Sequence, residues 1–447
     1  MLLDTTGLKY RMKFKDGTEW YEFTKTICPI CGKTGFCIIN HTATIVGCTR
    51  VPSKRLLIKD NNTYRHDLDA NGQVIEFKGQ LTSRAANGLE KMPPHILDFI
   101  FRRMLTDESM RLIAKHKALL YARGMSEETM NVRGYISGAE KPWVAAESIL
   151  MDLGARIEKT RIGGVPGFYK GKYGWTMKRA NGFLIPFRDE HNVIKGFQIR
   201  NDNPPNRVSI KDAHMFPTLQ VKLEQPNHVT VVSKETGEIL LKKDMEIDQE
   251  EMVQVHNQTA LIKLKSGLRY VWLSSSGENL GTGAGGEEQP LPYHISVPTP
   301  KLKKNNELYQ QSINDKANEH YVNIQENAIW VTEGPLKADL ASDHIAQAFK
   351  NEIATVGDTV VAIPGVNNWR MVLPLLKKMG VKRVNLAFDM DAISNKTVFD
   401  QLQAFKIALK EELAIEEVYI ALWKIEYGKG IDDCLANRVR PVLREMK

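Results

Sequence analysis

Three kinds of hydrophobic pattern follow one another along the chain. Over 96–121, side chains recur at helical spacing, Leu97, Ile100, Phe101 and Met104, then Leu112, Ile113, His116, Leu119 and Leu120, which predicts two helices broken near Thr106-Asp107. Arg123-Gly124 closes the second, and Ser126 followed by Glu127 and Glu128 opens another, a hydroxyl cap with acids at the positive helix end. Residues 183–189 and 193–200 read as two strands about a turn at 189–192, and alternation continues through 229–273 at Val229, Val231, Ala260, Ile262, Leu264, Tyr270 and Trp272. From Ala328 onward the pattern becomes strand and helix in turn. Short apolar runs at 328–331, 359–363, 383–388 and 418–423 are separated by helices that begin at Pro335 and span 369–379 and 397–413. Buried-type strands joined by helices predict a parallel sheet with helices on its faces, and such a sheet takes ligands beyond the carboxyl ends of its strands.

The amino-terminal part is patterned differently. Residues 63–66 and 74–77 flank an Asn71-Gly72 step, a hairpin signal, and polar residues 79–92 before Pro93-Pro94 read as a linker. The class expected is mixed α+β with several domains: a small zinc-bound β module at 1–52, a hairpin and linker at 53–95, a basic α+β region at 96–325 with an insertion near 221–260, and a parallel-sheet α/β domain at 326–447. At 447 residues the chain is too long for one core. Its apolar runs fall well short of the ~18 residues of a membrane span. No secretion signal opens it, so a cytoplasmic protein with no membrane partner is expected.

Cysteine changes the picture most. Four of the five cysteines, Cys28, Cys31, Cys37 and Cys48, fall within 21 residues. Cys28-Pro29-Ile30-Cys31-Gly32 is a zinc knuckle, two thiols three positions apart on a turn that aims backbone N–H groups at sulfur. Cys37 and Cys48 are the favoured second pair, with His41 the alternative ligand. Four protein ligands leave no open position, so this zinc is structural, and it supports a module too small for an adequate core of its own. Cys434 stands alone and reads as a small buried hydrophobe.

Charge is distributed unevenly. The total is +8, but residues 1–60 carry +5 and residues 153–200 carry +7, which leaves −4 for the rest. A polyanion such as nucleic acid would be met by the first half of the chain.

The acids gather elsewhere. Glu333 follows the first strand of the α/β region, Asp389 and Asp391 close the third, and Asp432 and Asp433 follow the fourth after Gly428-Lys429-Gly430. Loops from adjacent strands would bring these carboxylates to one edge, an arrangement that needs cations and suits Mg²⁺ or Mn²⁺.

The ordered set Val331-Thr332-Glu333-Gly334, Lys337-Ala338-Asp339-Leu340, Ile363-Pro364-Gly365-Val366, Ala387-Phe388-Asp389-Met390-Asp391 and Lys429-Gly430-Ile431-Asp432-Asp433 resembles the motifs of a TOPRIM domain, found in primases, topoisomerases and certain nucleases. Residues 118–136, the strand pair 183–200 and the segment Arg269-Tyr270-Val271-Trp272 resemble the catalytic core of bacterial DnaG-type primases, and with the zinc module the resemblance covers about two-thirds of the chain. The second cysteine pair is spaced more widely than is usual there, Arg269 stands where the family commonly has Lys, and 221–260 is extra. The resemblance implies a DNA primase that joins ribonucleoside triphosphates on a single-stranded DNA template. Glu333, Asp389, Asp391 and Asp432 would be catalytic, with Asp433 beside them on Mg²⁺ or Mn²⁺. Arg188, Lys195, Arg200, Arg269, Tyr270, Lys337 and Lys429 would hold nucleotide or template, since Arg makes bidentate phosphate contacts. No helicase-type ATPase motif is present, so a separate replicative helicase is expected, as is an origin in a phage, plasmid or mobile element. The competing readings are a TOPRIM-type nuclease and a non-catalytic DNA-binding replication initiator.

Overall fold

The structure, a computed structural model, describes residues 2–14, 16–58, 63–68, 75–79, 81, 89–153, 159–211, 215–216, 218–256, 258–285, 289–317, 320–390 and 396–446. It is mixed α+β, as the patterning predicts, and divides into two compact units. One comprises Met1–Leu57, Thr63–Ala86 and Ile199–Val271; the other comprises Ile58–Asn62, Asn87–Gln198 and Trp272–Lys447.

In the first unit an antiparallel sheet runs in the order Leu8–Lys13, Glu19–Phe23, Ile38–Asn40, Ile45–Cys48, Thr63–Asp67. Leu8, Tyr21, Phe23, Ile39 and Val46 pack with Cys28, Cys37 and Cys48 into a single core. The expected hairpin is replaced by two other pairings. Thr63–Asp67 continues the cysteine-bearing sheet beside Ile45–Cys48, and Glu76–Lys78 pairs in parallel with Leu2–Asp4. The physical reason is burial: the open edge of Ile45–Cys48 takes Thr63, 1% exposed, against Gly47, where no Cβ obstructs the approach. The proposed turn at Asp69 to Gly72 lies outside the described residues. Further along, Arg207–Ile210, Gln258–Lys265 and Glu250–Val255 form one three-stranded sheet and Leu219–Glu224, His228–Ser233 and Ile239–Asp244 another. Their inward residues, Leu219, Val229, Val231, Val253, Ala260, Ile262 and Leu264, make a separate core, so the stretch read as an insertion is a β module packed on itself.

The second unit begins with helices Pro94–Thr106, Ala114–Tyr121 and Glu127–Arg133. The break falls where it was expected, because Asp107 Oδ1 accepts the Ser109 N–H at 3.0 Å and starts a new turn. Ser126 Oγ accepts the Thr129 N–H at 3.0 Å, the hydroxyl cap read from sequence. Gly182–Arg188 pairs with Ile136–Ser137 and turns through Asn192 into Ile194–Asn201, a strand through which the chain passes to the other unit.

The carboxyl-terminal sheet has six strands in the order His294–Ser296, Val360–Ile363, Ala328–Glu333, Arg383–Leu386, Glu417–Leu422, Val442–Glu445. The central four are parallel and the two outer ones antiparallel. Alternate residues face opposite layers. Ile329 and Val331 join Trp369, Leu376 and Phe405 on one side, while Trp330 joins Ala338, Ala341 and Ile345 on the other. Burial on both faces is why these strands read as unbroken apolar runs. Ala328–Glu333 has the second parallel strand on one side and the third on the other, so the winding reverses at its carboxyl end. This is the switch point at which open α/β sheets form a crevice.

Candidate functional site

Glu333 is the last residue of the central strand. Gly334 follows at φ +85°, a left-handed turn that glycine adopts without strain, and Pro335 starts the helix Pro335–Ala348 with its fixed φ. One turn into that helix, Lys337 reaches the carboxylate of Asp389, which stands beyond the neighbouring strand Arg383–Leu386. Lys429 lies 3.6 Å from the other oxygen of Asp389. Asp432, in the helix Ile431–Ala436, is 2% exposed and receives the guanidinium of Arg123; Asp433 is 3.8 Å from that same group. Gly430 is required here by close approach, because a Cβ on it would stand 2.4 Å from Asp432 Oδ1 and 3.3 Å from the Lys337 stem. Burial pushes the Asp432 carboxyl above its ordinary value, Arg123 opposes the shift, and Asp433 adds to it.

Glu333 and Asp389 therefore do stand at the carboxyl ends of adjacent parallel strands, and Asp432 and Asp433 lie in the helix that follows the next one. Among the described residues, however, they form no close ligand group like that of the cysteines. Asp391 lies outside the described residues. Cations are interleaved with the carboxylates: Lys337 and Lys429 on Asp389, Arg123 on Asp432. The donor set fits a hard divalent cation in its chemistry, all oxygen, and Asp432 Oδ1 is buried without a hydrogen-bond partner. Arg123 was missed as a site residue. It sits in the Arg-Gly step that ends a helix, and nothing in the sequence links it to an acid 309 positions away.

A buried polar network underlies the same helix. Asp339, two residues after Lys337, accepts from Arg133 at 2.6 Å, Ser296 Oγ at 2.7 Å and Tyr135 OH at 2.5 Å, with His294 Nε2 at 3.0 Å. Arg133 also reaches Asp343 at 2.9 Å. Burial disfavours the Asp339 carboxylate, but Arg133 and then His294 outweigh it and hold the carboxyl well below the usual range.

The residues expected to hold phosphate differ in placement. Arg188 is corrected: it is 3% exposed, and its guanidinium donates to Asn192 Oδ1 and to the Arg133 carbonyl, both at 3.2 Å. Burial, with Arg102 adding to it, pulls this guanidinium down to about 9, so Arg188 is part of the interior. Lys195 is partly exposed, 3.5 Å from Asp189. Arg200 is buried, Arg269 exposed and Tyr270 half-buried, and all three belong to the first unit.

In the first unit the sulfur atoms of Cys28, Cys31, Cys37 and Cys48 lie within 4.8 Å of one another. The Arg50 and Val51 N–H groups donate to Cys48 Sγ at 3.4 and 3.3 Å, and the Arg50 guanidinium lies 3.6 Å from Cys31 and 3.5 Å from Cys37. The neighbouring thiols, Cys28 foremost, hold the Cys37 thiol below its ordinary value. Four thiols with backbone donors behind them fit a tetrahedral zinc. His41, the alternative ligand, is exposed, and its Nδ1 accepts the Glu19 N–H at 3.3 Å.

No protein-family model matches the chain, and no curated protein matches it. Among solved structures it is similar to a DnaG primase catalytic domain bound to ssDNA, at 12% identity over 78% of this chain and 80% of that one, with a TM-score of 0.37. It is similar to the RNA polymerase domain of Mycobacterium tuberculosis primase DnaG, at 11% identity over 78% and 81%, TM-score 0.38. It is also similar to the Aquifex aeolicus primase spanning the zinc-binding and RNA polymerase domains, at 12% identity over 95% of this chain and 79% of that one, TM-score 0.37. At these values the functional reading has to rest on the chain's own residues.

Proposed function

We propose that this chain is a DNA primase of the TOPRIM type, which joins ribonucleotides on a single-stranded DNA template for a phage, plasmid or other mobile element. The observation that carries the reading is the placement of Glu333, Asp389 and Asp432 after three neighbouring parallel strands, at the switch point, with Lys337, Lys429 and Arg123 among them. Nucleotidyl transfer needs this combination. A primer 3′-hydroxyl oxygen bonds to the α-phosphorus of an incoming triphosphate, the bond to pyrophosphate breaks, and the hydroxyl proton passes to a base. Negative charge gathers on the phosphates, which calls for cations rather than a covalent intermediate. A bound Mg²⁺ or Mn²⁺ supplies Lewis acidity to those phosphates. Asp389, Asp391 and Asp432 would hold it, with Asp433 at the rim, and Glu333 would complete the ligand set or take the proton. Lys337, Lys429 and Arg123 orient the triphosphate. In the second unit Lys195 serves the template or nucleotide; in the first, Arg200, Arg269 and Tyr270 serve the template, and the four cysteines hold zinc that secures the first sheet. A separate helicase would open the duplex.

The test is synthesis from the four ribonucleoside triphosphates on single-stranded DNA with Mg²⁺ or Mn²⁺. Short oligoribonucleotides that disappear in Asp389→Ala are expected. Nicked DNA with no extended product would replace the primase reading with a nuclease, and template binding with neither product would leave only a replication initiator.

A further inference from the structure

A β-hairpin of the second unit, Phe168–Gly171 with Gly174–Met177, carries chemistry that the metal site does not use. Gly171 pairs with Gly174, so only Lys172 and Tyr173 form the turn. Two-residue hairpin turns favour Asn, Asp and Gly, whose backbones enter the left-handed region without strain. Here neither Lys172 nor Tyr173 has a positive φ; Gly174, at φ +133°, supplies it, so the two turn positions are open to ordinary side chains.

The exposed group is an aromatic ring. Tyr173 is 93% exposed, and the Lys172 Nζ stands 5.3 Å from its ring centroid. A ring this exposed, with a cation beside it, is open to a ligand. The base of the hairpin is firm by contrast: Phe168 and Met177 are buried, the Lys170 N–H donates to the Asn279 carbonyl at 2.9 Å, and Lys178 pairs with Glu278 at 2.5 Å. Residues 159–188 contain seven basic side chains and no acidic one. Lys170, Lys172 and Arg179 are exposed and make no ion pair among the described residues.

We infer that this hairpin is a stacking finger for single-stranded nucleic acid, in which an unpaired base lies on the Tyr173 ring and Lys170 and Lys172 meet the flanking phosphates. A duplex hides its base faces, whereas a single strand offers them, and that difference selects the strand. The inference rests on the template-binding reading above and gives it a contact surface.

The probe is a fluorescein-labelled oligothymidylate of about 20 nucleotides, titrated by anisotropy against the full chain. Tyr173→Ala should weaken binding by about 5- to 100-fold, and Tyr173→Phe should keep it, since stacking needs the ring and not the hydroxyl. Lys170→Ala with Lys172→Ala should lower the slope of log K against log salt by about 1.4. Wild-type affinity retained in Tyr173→Ala overturns the finger and leaves the template reading standing. An equal loss on blunt duplex overturns the choice of a single strand, and a wild-type chain that binds neither probe overturns both readings. Binding that depends on Tyr173 in a chain that makes no primers keeps the finger and removes the primase.

Discussion

The cysteine group and the carboxylate edge are both sets of potential metal ligands, and they are built in opposite ways. The four thiols come from 21 consecutive residues, are buried or half-buried, and converge within 4.8 Å. The carboxylates come from separate loops between Glu333 and Asp433, and cations stand beside them, Lys337 and Lys429 on Asp389 and Arg123 on Asp432. The difference follows from charge. Thiols hydrogen-bond to one another and share what little charge they carry, so they crowd at small cost, whereas carboxylates ionised at neutral pH repel one another and draw lysine and arginine to them. A site that only has to hold an ion can therefore be closed and local. The carboxylate edge keeps its cations beside its acids, the combination that the proposed phosphate chemistry would use.

The largest effect is expected where the comparison is most one-sided. Cys48→Ala should release zinc and unfold the amino-terminal sheet, because structural zinc contributes on the order of 10 kcal/mol to such modules. Metal analysis and circular dichroism would show this, and His41→Ala should keep one zinc per chain. The reverse result would put the histidine in the ligand set. At the carboxylate edge, Asp389→Ala should lower primer synthesis by roughly 100-fold or more while leaving the melting temperature near its wild-type value, since Asp389 is a partly exposed acid at a strand end. Full synthesis in this variant would remove Asp389 from the site.

A buried acid with no proposed metal role sharpens the point. Arg133→Met leaves Asp339 without its main counter-ion and should cost about 3–5 kcal/mol in denaturant unfolding. The sign with pH is definite. The native Asp339 carboxyl lies below its unfolded value, so its stabilisation is present above about pH 4 and fades as pH falls through the depressed native value. The gap between variant and wild type should narrow in acid, and a gap that widens would refute the assignment. The smallest effect belongs to Glu190, against which burial works but whose carboxyl is held low by Lys378 at 2.7 Å and Tyr293 at 2.8 Å. Lys378 is half-exposed and screened by water, so Lys378→Met should cost roughly 1 kcal/mol at pH 7 and nothing measurable once Glu190 is protonated. A loss as large as that of Arg133→Met would mean that exposure does not decide the strength of these pairs.

Local features were readable before the fold was known. The interrupted helices at 94–121, the Ser126 cap, the cysteine cluster and the four parallel strands were all legible, because each depends on spacing that the chain carries within a few residues. The position of Glu333, Asp389 and Asp432 at strand ends was legible for the same reason. Pairing across long separations was not. The edge strands His294–Ser296 and Val442–Glu445, the union of Thr63–Asp67 with Ile45–Cys48, and the loss of the expected hairpin depended on which apolar edge was left open. The interior place of Arg188 and the reach of Arg123 to Asp432 emerge on folding, since an arginine looks the same in sequence whether its partner is a phosphate, a carbonyl or an acid hundreds of residues away. Composition fixes which charges exist. The fold selects their partners, because burial makes an unpaired charge too costly to leave alone.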